Sequence, residues 1–136
     1  MKHLLAYGLL CLLAALTLAG CKKESDAFTG LIGSWKLTKQ ECYCPSSPVP
    51  NRTVTFTATG YKFYQDGQLS DSGTYSDANI IPCGTNTLIQ VLRLKSDHKA
   101  SQDYISTIAG SLLQLDSGLN NKCIADAGIK YTYERL

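Results

Sequence analysis

The chain has 136 residues, with 13 basic and 11 acidic side chains and a formal net charge of +2. This length allows one modest domain. The Lys and Arg residues are scattered singly apart from Lys22-Lys23, which excludes the clustered basic face that a nucleic-acid partner requires.

The first twenty residues have the pattern of a secretory signal. A basic start precedes an apolar run from Leu4 to Ala19, which is shorter than the roughly 20 residues needed to cross a bilayer core. Residues 18–21 read Leu-Ala-Gly-Cys, and this box resembles the cleavage site of bacterial lipoproteins. The resemblance implies cleavage before Cys21 and attachment of lipid to its thiol. It also implies a compartment in which disulfides persist.

The residues after Cys21 are polar and charged, which is typical of a solvated tether. We therefore expect a signal peptide over residues 1–20, a lipidated tether over 21–29 and a folded domain over 30–136. In lipoproteins of diderm bacteria, an Asp directly after the lipidated cysteine favours retention in the inner membrane, and Lys22 stands there instead. The resemblance thus implies a protein anchored in the outer membrane, facing the periplasm or the cell surface.

Four further cysteines follow the anchor: Cys42, Cys44, Cys83 and Cys123. An even number in a small exported domain predicts two disulfides. Because only Tyr43 separates Cys42 from Cys44, we expect each of them to bond with a distant cysteine. Cys42 would pair with Cys83 and Cys44 with Cys123, or the reverse. The usual zinc spacing and a redox Cys-x-x-Cys are both missing from the sequence, so we expect no metal and no cofactor.

The sequence after the tether alternates with a period of two, as strands do. Residues 53–59 read Thr-Val-Thr-Phe-Thr-Ala-Thr, with apolar side chains on one face and threonines on the other. Asp66-Gly67 separates two such runs and predicts a type I′ hairpin turn. Short strands at this spacing predict an all-β antiparallel sandwich or barrel. The predicted strands are residues 34–40, 53–59, 61–65, 68–76, 87–94, 103–108, 111–115 and 128–135, with loops at 41–52 and 77–86.

The two ends of this domain resemble the lipocalins and the wider calycin group. Gly33-Ser34-Trp35 begins the first strand, and Arg135 ends a Tyr-x-Tyr-x-Arg run in the last. The resemblance implies an antiparallel up-and-down β-barrel of about eight strands, in which the first and last strands meet. Arg135 would then stack over Trp35 at the barrel floor, gaining cation–π energy while its donors satisfy nearby carbonyl groups. The order of motifs over residues 30–136 is similar to small lipocalin-like lipoproteins of diderm bacteria.

The sequence offers no catalytic set, and we expect no enzyme activity. His98, the histidine that follows the signal, lies in a polar stretch, whereas a catalytic triad requires a buried and oriented histidine. Asp66, Asp71, Asp77 and Asp116 lie beside Gly, Ser or Asn at predicted turns, where aspartate caps backbone groups.

The resemblance implies a non-enzymatic module that binds a small apolar or amphipathic ligand in the barrel. Gln90 would then share an inward face with Leu88 and Leu92, where a single polar group among apolar walls orients a ligand. The same side chains can instead fill a compact core. The alternative function is an interaction module whose loops at 45–52 and 80–86 contact a protein or a glycan. The candidate interior comprises Phe56, Phe63, Tyr75, Leu88, Gln90, Leu92, Tyr131 and Tyr133.

Overall fold

Eight antiparallel strands form one closed barrel, in which each strand pairs with the next and β8 pairs with β1. The all-β up-and-down barrel is therefore confirmed. This computed structural model describes residues 28, 30–42, 44–45, 47–118 and 128–136. The signal, tether residues 21–27 and 29, and Cys123 lie outside the described residues. The strands are β1 Gly33–Glu41, β2 Arg52–Phe56, β3 Tyr61–Gln65, β4 Gln68–Ile80, β5 Ile89–Ser96, β6 Gln102–Ala109, β7 Leu112–Asp116 and β8 Lys130–Arg135.

Alternate connections lie at opposite ends of an up-and-down barrel, and these ends are named here the floor and the mouth. The floor contains residues 30–32, which lead into β1, and the connections 57–60, 81–88 and 110–111. The mouth contains the other connections, among them the β1–β2 loop, the β3–β4 turn and the β5–β6 turn. Within the described ranges, no helix is long and apolar enough to cross a bilayer.

The β3–β4 turn has the predicted geometry. Asp66 has φ 51° and Gly67 has φ 80°, and two successive positive φ angles characterise the type I′ turn. Gln65 pairs directly with Gln68 across it. The local Asp-Gly signal therefore places this hairpin correctly.

β4 is longer than predicted. Residues 77–80 were expected to begin a loop, but they continue the strand and pair with β5 as far as Ile80 and Ile89. The β5 backbone supplies hydrogen-bond partners for this polar segment, and that pairing outweighs its low strand propensity. Asp77 therefore lies within β4. Asp71 lies within the same strand, and the prediction that these two residues occupy turns is wrong.

The disulfide pairing also differs from the prediction. Cys42 is bonded to Cys44, with their Cα atoms 5.2 Å apart, which is within the usual range for a disulfide. Both predicted pairings are therefore wrong. The topology disfavours both pairings, because Cys42 follows β1 at the mouth, whereas Cys83 lies in the β4–β5 connection at the floor. Cys83 is disulfide-bonded too, to a cysteine outside the described residues.

The interior is filled by the protein's own apolar side chains. Among the described residues, no polar or charged side chain is buried. An eight-stranded barrel is narrow enough for side chains to fill, and each large one stabilises the fold by roughly 1.5–3 kcal/mol on burial. The core cluster comprises Leu31, Trp35, Leu37, Val54, Phe56, Tyr61, Phe63, Leu92, Leu94, Tyr104, Leu113, Leu115 and Tyr133.

Candidate functional site

The structure brings Trp35 and Arg135 together at the floor. They are directly opposed on β1 and β8, and the Arg135 Cζ atom lies 4.3 Å from the centre of the indole ring. The indole is fully buried and donates a hydrogen bond of 2.9 Å to the Leu31 carbonyl. The Arg135 guanidinium donates to the carbonyls of Ile32, at 3.1 Å, and Gly30. Since these donors are occupied, the pair acts as a structural cap.

Much of the predicted ligand-binding interior is packed core. Phe56, Phe63, Leu92 and Tyr133 are between 1% and 3% exposed and pack in one cluster. Tyr75 is half-buried, and its hydroxyl donates to the Thr57 carbonyl at 2.6 Å. These positions leave the barrel centre to side chains, so a ligand would have to bind closer to one end.

Two of the predicted interior residues lie elsewhere. Leu88 is 61% exposed, and Gln90 is exposed as well. The reason is that β6 pairs with β5 only from Leu92 to Leu94, so the start of β5 projects below the barrel wall. Gln90 borders a cavity of about 110 Å³ that Asp77 also lines. The prediction of a single glutamine among apolar walls is wrong.

Arg52 is a basic residue at the barrel mouth. It begins β2 on the face that Val54 and Phe56 share, and it is half-buried. Its Cζ atom lies 4.3 Å from the centre of the Phe63 ring and 5.5 Å from that of Tyr131. The guanidinium therefore lies between rings from β3 and β8, on top of the packed core.

The donors of Arg52 are unpaired within the described part of the chain. No hydrogen bond or ion pair among these residues involves the Arg52 side chain. In contrast, Arg93 on the outer wall forms a two-point ion pair with Asp103 at 2.7 Å. Arg52 thus offers a planar set of N–H donors, which matches a carboxylate in geometry.

Tyrosines surround this guanidinium. The side chain of Tyr133 is 1% exposed, and neither its hydroxyl nor that of Tyr131 forms a hydrogen bond within the described ranges. Tyr104 donates to the Gln102 side-chain oxygen at 2.6 Å. Burial raises the pKa of Tyr104 to about 12 and also raises the pKa of Tyr133, while the charge of Arg52 opposes both increases. These two phenols therefore stay protonated at neutral pH and can donate hydrogen bonds.

Asp71, one of the carboxylates near the mouth, already has hydrogen-bond partners. Asp71 accepts hydrogen bonds from the hydroxyls of Ser96, at 2.6 Å, and Tyr61, at 3.2 Å. Burial, followed by the charge of Asp71, raises the pKa of Tyr61 to about 12. None of the ion pairs among the described residues joins Asp71 to Arg52, so Asp71 is not a direct partner of the guanidinium.

A groove of about 400 Å³ extends from this end of the barrel into the β1–β2 loop. Gln40, at its inner end, pairs with Tyr131 on β8. A volume of this order suits a small ligand, and the Cys42–Cys44 bond limits the freedom of the groove wall. The lining comprises Gln40, Glu41, Cys42, Cys44, Pro45, Ser47 and Pro48.

Sequence reasoning missed Arg52 because the predicted strand began one residue later. The available signal was the period of two, since Arg52 precedes Val54 and Phe56 on an otherwise apolar face.

In the described part of the chain, no group of three or more His, Cys, Asp or Glu side chains could hold a metal ion. Comparison with protein families, with curated proteins and with solved structures finds no match to this chain.

Proposed function

We propose that this protein is a lipid-anchored envelope protein that binds a small amphipathic ligand with an anionic group, without catalysing a reaction. The ligand site is the barrel mouth, and the observation that carries the proposal is the guanidinium of Arg52 between Phe63 and Tyr131 with unpaired donors. The anchoring at Cys21 and the outer-membrane location follow from the Leu-Ala-Gly-Cys box and the lipocalin-like order of motifs.

The chemistry of the mouth favours an anion with an apolar portion. A carboxylate would accept two parallel hydrogen bonds from Arg52, and the hydroxyls of Tyr131 and Tyr133 are further donors beside it. The rings of Phe63 and Tyr131 offer apolar surface for the remainder of the ligand, and Pro45 and Pro48 add to it in a groove whose lining is otherwise mostly polar. Because the barrel centre is packed, the ligand lies across the mouth instead of inside the barrel.

The test compares two probes of equal shape, 4-phenylbutyrate and the uncharged 4-phenylbutyramide, by NMR titration of the full chain in detergent. We expect the acid to bind at least about tenfold more tightly than the amide, as befits a partly buried charged pair. Arg52→Gln should abolish this difference. Arg93→Gln is the matched control, because Arg93 lies on the outer wall with Asp103, and it should leave the difference intact.

Equal affinity for the acid and the amide, or an Arg52→Gln variant that keeps the preference, contradicts the proposal. The second candidate function is contact with a protein or glycan through loops. The two loops expected to form that surface, 45–52 and 80–86, lie at opposite ends of the barrel, so one contact surface is confined to the mouth, where Val49 and Leu69 are 44% and 56% exposed. This second function predicts that neither probe binds.

A further inference from the structure

The two ends of the barrel differ in charge. At the floor, residues 57–60 read Thr-Ala-Thr-Gly, residues 81–88 read Ile-Pro-Cys-Gly-Thr-Asn-Thr-Leu, and residues 110–111 are Gly-Ser. These connections contain no acidic side chain, no basic side chain and no histidine. The mouth connections, in contrast, include Asp66 and the run Asp97-His98-Lys99. Loops in water are normally polar and often charged, so the floor is the exception that requires an explanation.

The same end exposes large apolar side chains, which we name the floor rim: Ile32, Ile81, Leu88 and Leu112. They are 55%, 61%, 61% and 39% exposed, respectively. Single exposed apolar residues are common, but their concentration at one uncharged end marks a contact surface. Charged side chains adjoin this end without belonging to its connections: Lys62 and Asp97 line a pocket with Thr57 and Gly60, and Asp77 lines a cavity with Phe28. Glu134 lies opposite Leu112 on the outer wall, and Arg135 is held by backbone carbonyls.

The chain also enters the barrel at the floor. Phe28 packs edge-on against Tyr75, with ring centres 5.5 Å apart, and Leu31 is fully buried. Cys21 precedes Phe28 by a segment that spans at most about 25 Å, at roughly 3.5 Å per residue. A lipid on Cys21 would therefore hold the floor close to the membrane, with the mouth at the far end.

We infer that the floor rim rests on the lipid surface, so that the barrel stands on the membrane with the Arg52 mouth directed away from it. This inference rests on the proposed lipid anchor at Cys21. An uncharged rim enters the headgroup region without losing ion hydration, and its apolar side chains gain by partial burial there. Lys22-Lys23, beside the anchor, adds attraction to anionic lipids. The ligand then reaches the mouth from the aqueous phase.

The experiment uses the full lipidated chain in vesicles of phosphatidylethanolamine and phosphatidylglycerol, with or without acyl chains brominated near the headgroup. Bromine quenches tryptophan emission only at short range. Leu88→Trp places a probe on the floor rim, and Leu69→Trp places one at the mouth at a similar exposure, 61% against 56%. Trp35, fully buried, is a common background in both variants. Ile81→Trp is the substitute if Leu88→Trp fails to fold.

We expect brominated lipid to remove at least about half of the added emission of Leu88→Trp, because a surface-bound apolar face lies about 5–10 Å deep at the headgroup boundary. The added emission of Leu69→Trp should stay unchanged. Equal quenching of the two variants, or stronger quenching at the mouth, overturns the inference. So does an unquenched rim in a chain that sediments as a dimer, because a second copy then covers it.

The outcomes separate this inference from the anchoring on which it rests. Mass spectrometry and vesicle flotation first establish whether Cys21 carries lipid. A chain that neither carries lipid nor floats overturns the anchoring and, with it, the floor-down orientation. A lipidated, floating chain whose Leu88→Trp emission is unaffected by bromine overturns the orientation alone.

Discussion

Arg52 and Arg135 occupy opposite ends of one barrel, and each holds its Cζ atom 4.3 Å from the centre of an aromatic ring of the core. The two residues differ in what their donors meet. The Arg135 guanidinium donates to the backbone carbonyls of Gly30 and Ile32, whereas the Arg52 guanidinium forms no hydrogen bond within the described part of the chain. The same stacking geometry therefore accompanies bonded donors at the floor and unpaired donors at the mouth.

The first prediction concerns the floor cap. Arg135→Lys keeps the charge but loses the planar fork that reaches two carbonyl groups, so we expect the free energy of unfolding to fall by about 1–2 kcal/mol. Urea denaturation measures this change. Arg93→Lys, on the outer wall, is the control and should leave the stability nearly unchanged. An Arg135→Lys variant as stable as the wild type would show that the carbonyl contacts contribute little.

The second prediction concerns Arg52. Because its donors lack partners within the described ranges, replacement by an apolar side chain of similar length removes no hydrogen bond there. Arg52→Met should therefore be at least as stable as the wild type, by up to about 1 kcal/mol, while losing the preference for 4-phenylbutyrate over its amide. Denaturation and NMR titration of the same sample test both parts. A marked loss of stability would assign Arg52 a structural role instead.

The third prediction concerns the packed barrel. Leu113 is fully buried on β7, so Leu113→Ala leaves a cavity that the surrounding strands cannot close, and the free energy of unfolding should fall by about 2–5 kcal/mol. Leu69→Ala removes the same atoms from a side chain that is 56% exposed and should change stability by less than about 0.5 kcal/mol. Similar losses in both variants would argue against a packed interior.

The fourth prediction is loss of stability at high pH. Burial raises the pKa of Tyr104 to about 12 and also raises that of Tyr133. Above about pH 10 the unfolded chain releases these protons while the folded chain retains them, so stability falls as the pH rises. The contribution of these phenols to the free energy of unfolding is complete below about pH 10, and that of Tyr104 is lost by about pH 12. Phenolate absorbance and denaturation at several pH values should show this decline, at about 1.4 kcal/mol per pH unit for each group.

Tyr104→Phe is the variant that tests this assignment. Between about pH 10 and about pH 12, the stability of this variant should fall less steeply than that of the wild type, because one group that ionises only in the unfolded chain has been removed. A decline of equal slope in wild type and Tyr104→Phe would mean that other groups govern alkaline unfolding.

The fifth prediction concerns the cysteines. Peptide mapping without reduction should recover Cys42 and Cys44 joined within one peptide. Cys83 is bonded to a cysteine outside the described residues, and the same map should recover Cys83 in a disulfide with a cysteine other than Cys42 or Cys44. A bond from Cys83 to Cys42, or a free thiol at Cys44, would contradict the arrangement at the mouth.

Local chemistry determined much of the architecture. The alternation around Val54 and Phe56 defines β2 because residues two apart lie on one face of a strand. Asp66-Gly67 sets a hairpin because its backbone adopts positive φ angles at little cost. The Gly-x-Trp and final Arg signals anticipated that Trp35 and Arg135 would be neighbours, which is where barrel closure places them.

Long-range pairing decided the rest. Leu88 and Gln90 have the spacing of inward residues, but they are exposed because β6 begins its pairing with β5 only at Leu92. Arg52 follows a proline-rich loop, and its position beside Tyr131 depends on β8, which is remote along the chain. Sequence patterns record the preferences of neighbouring residues, whereas the candidate ligand site depends on which strands adjoin when the barrel closes, and only the tertiary structure specifies that.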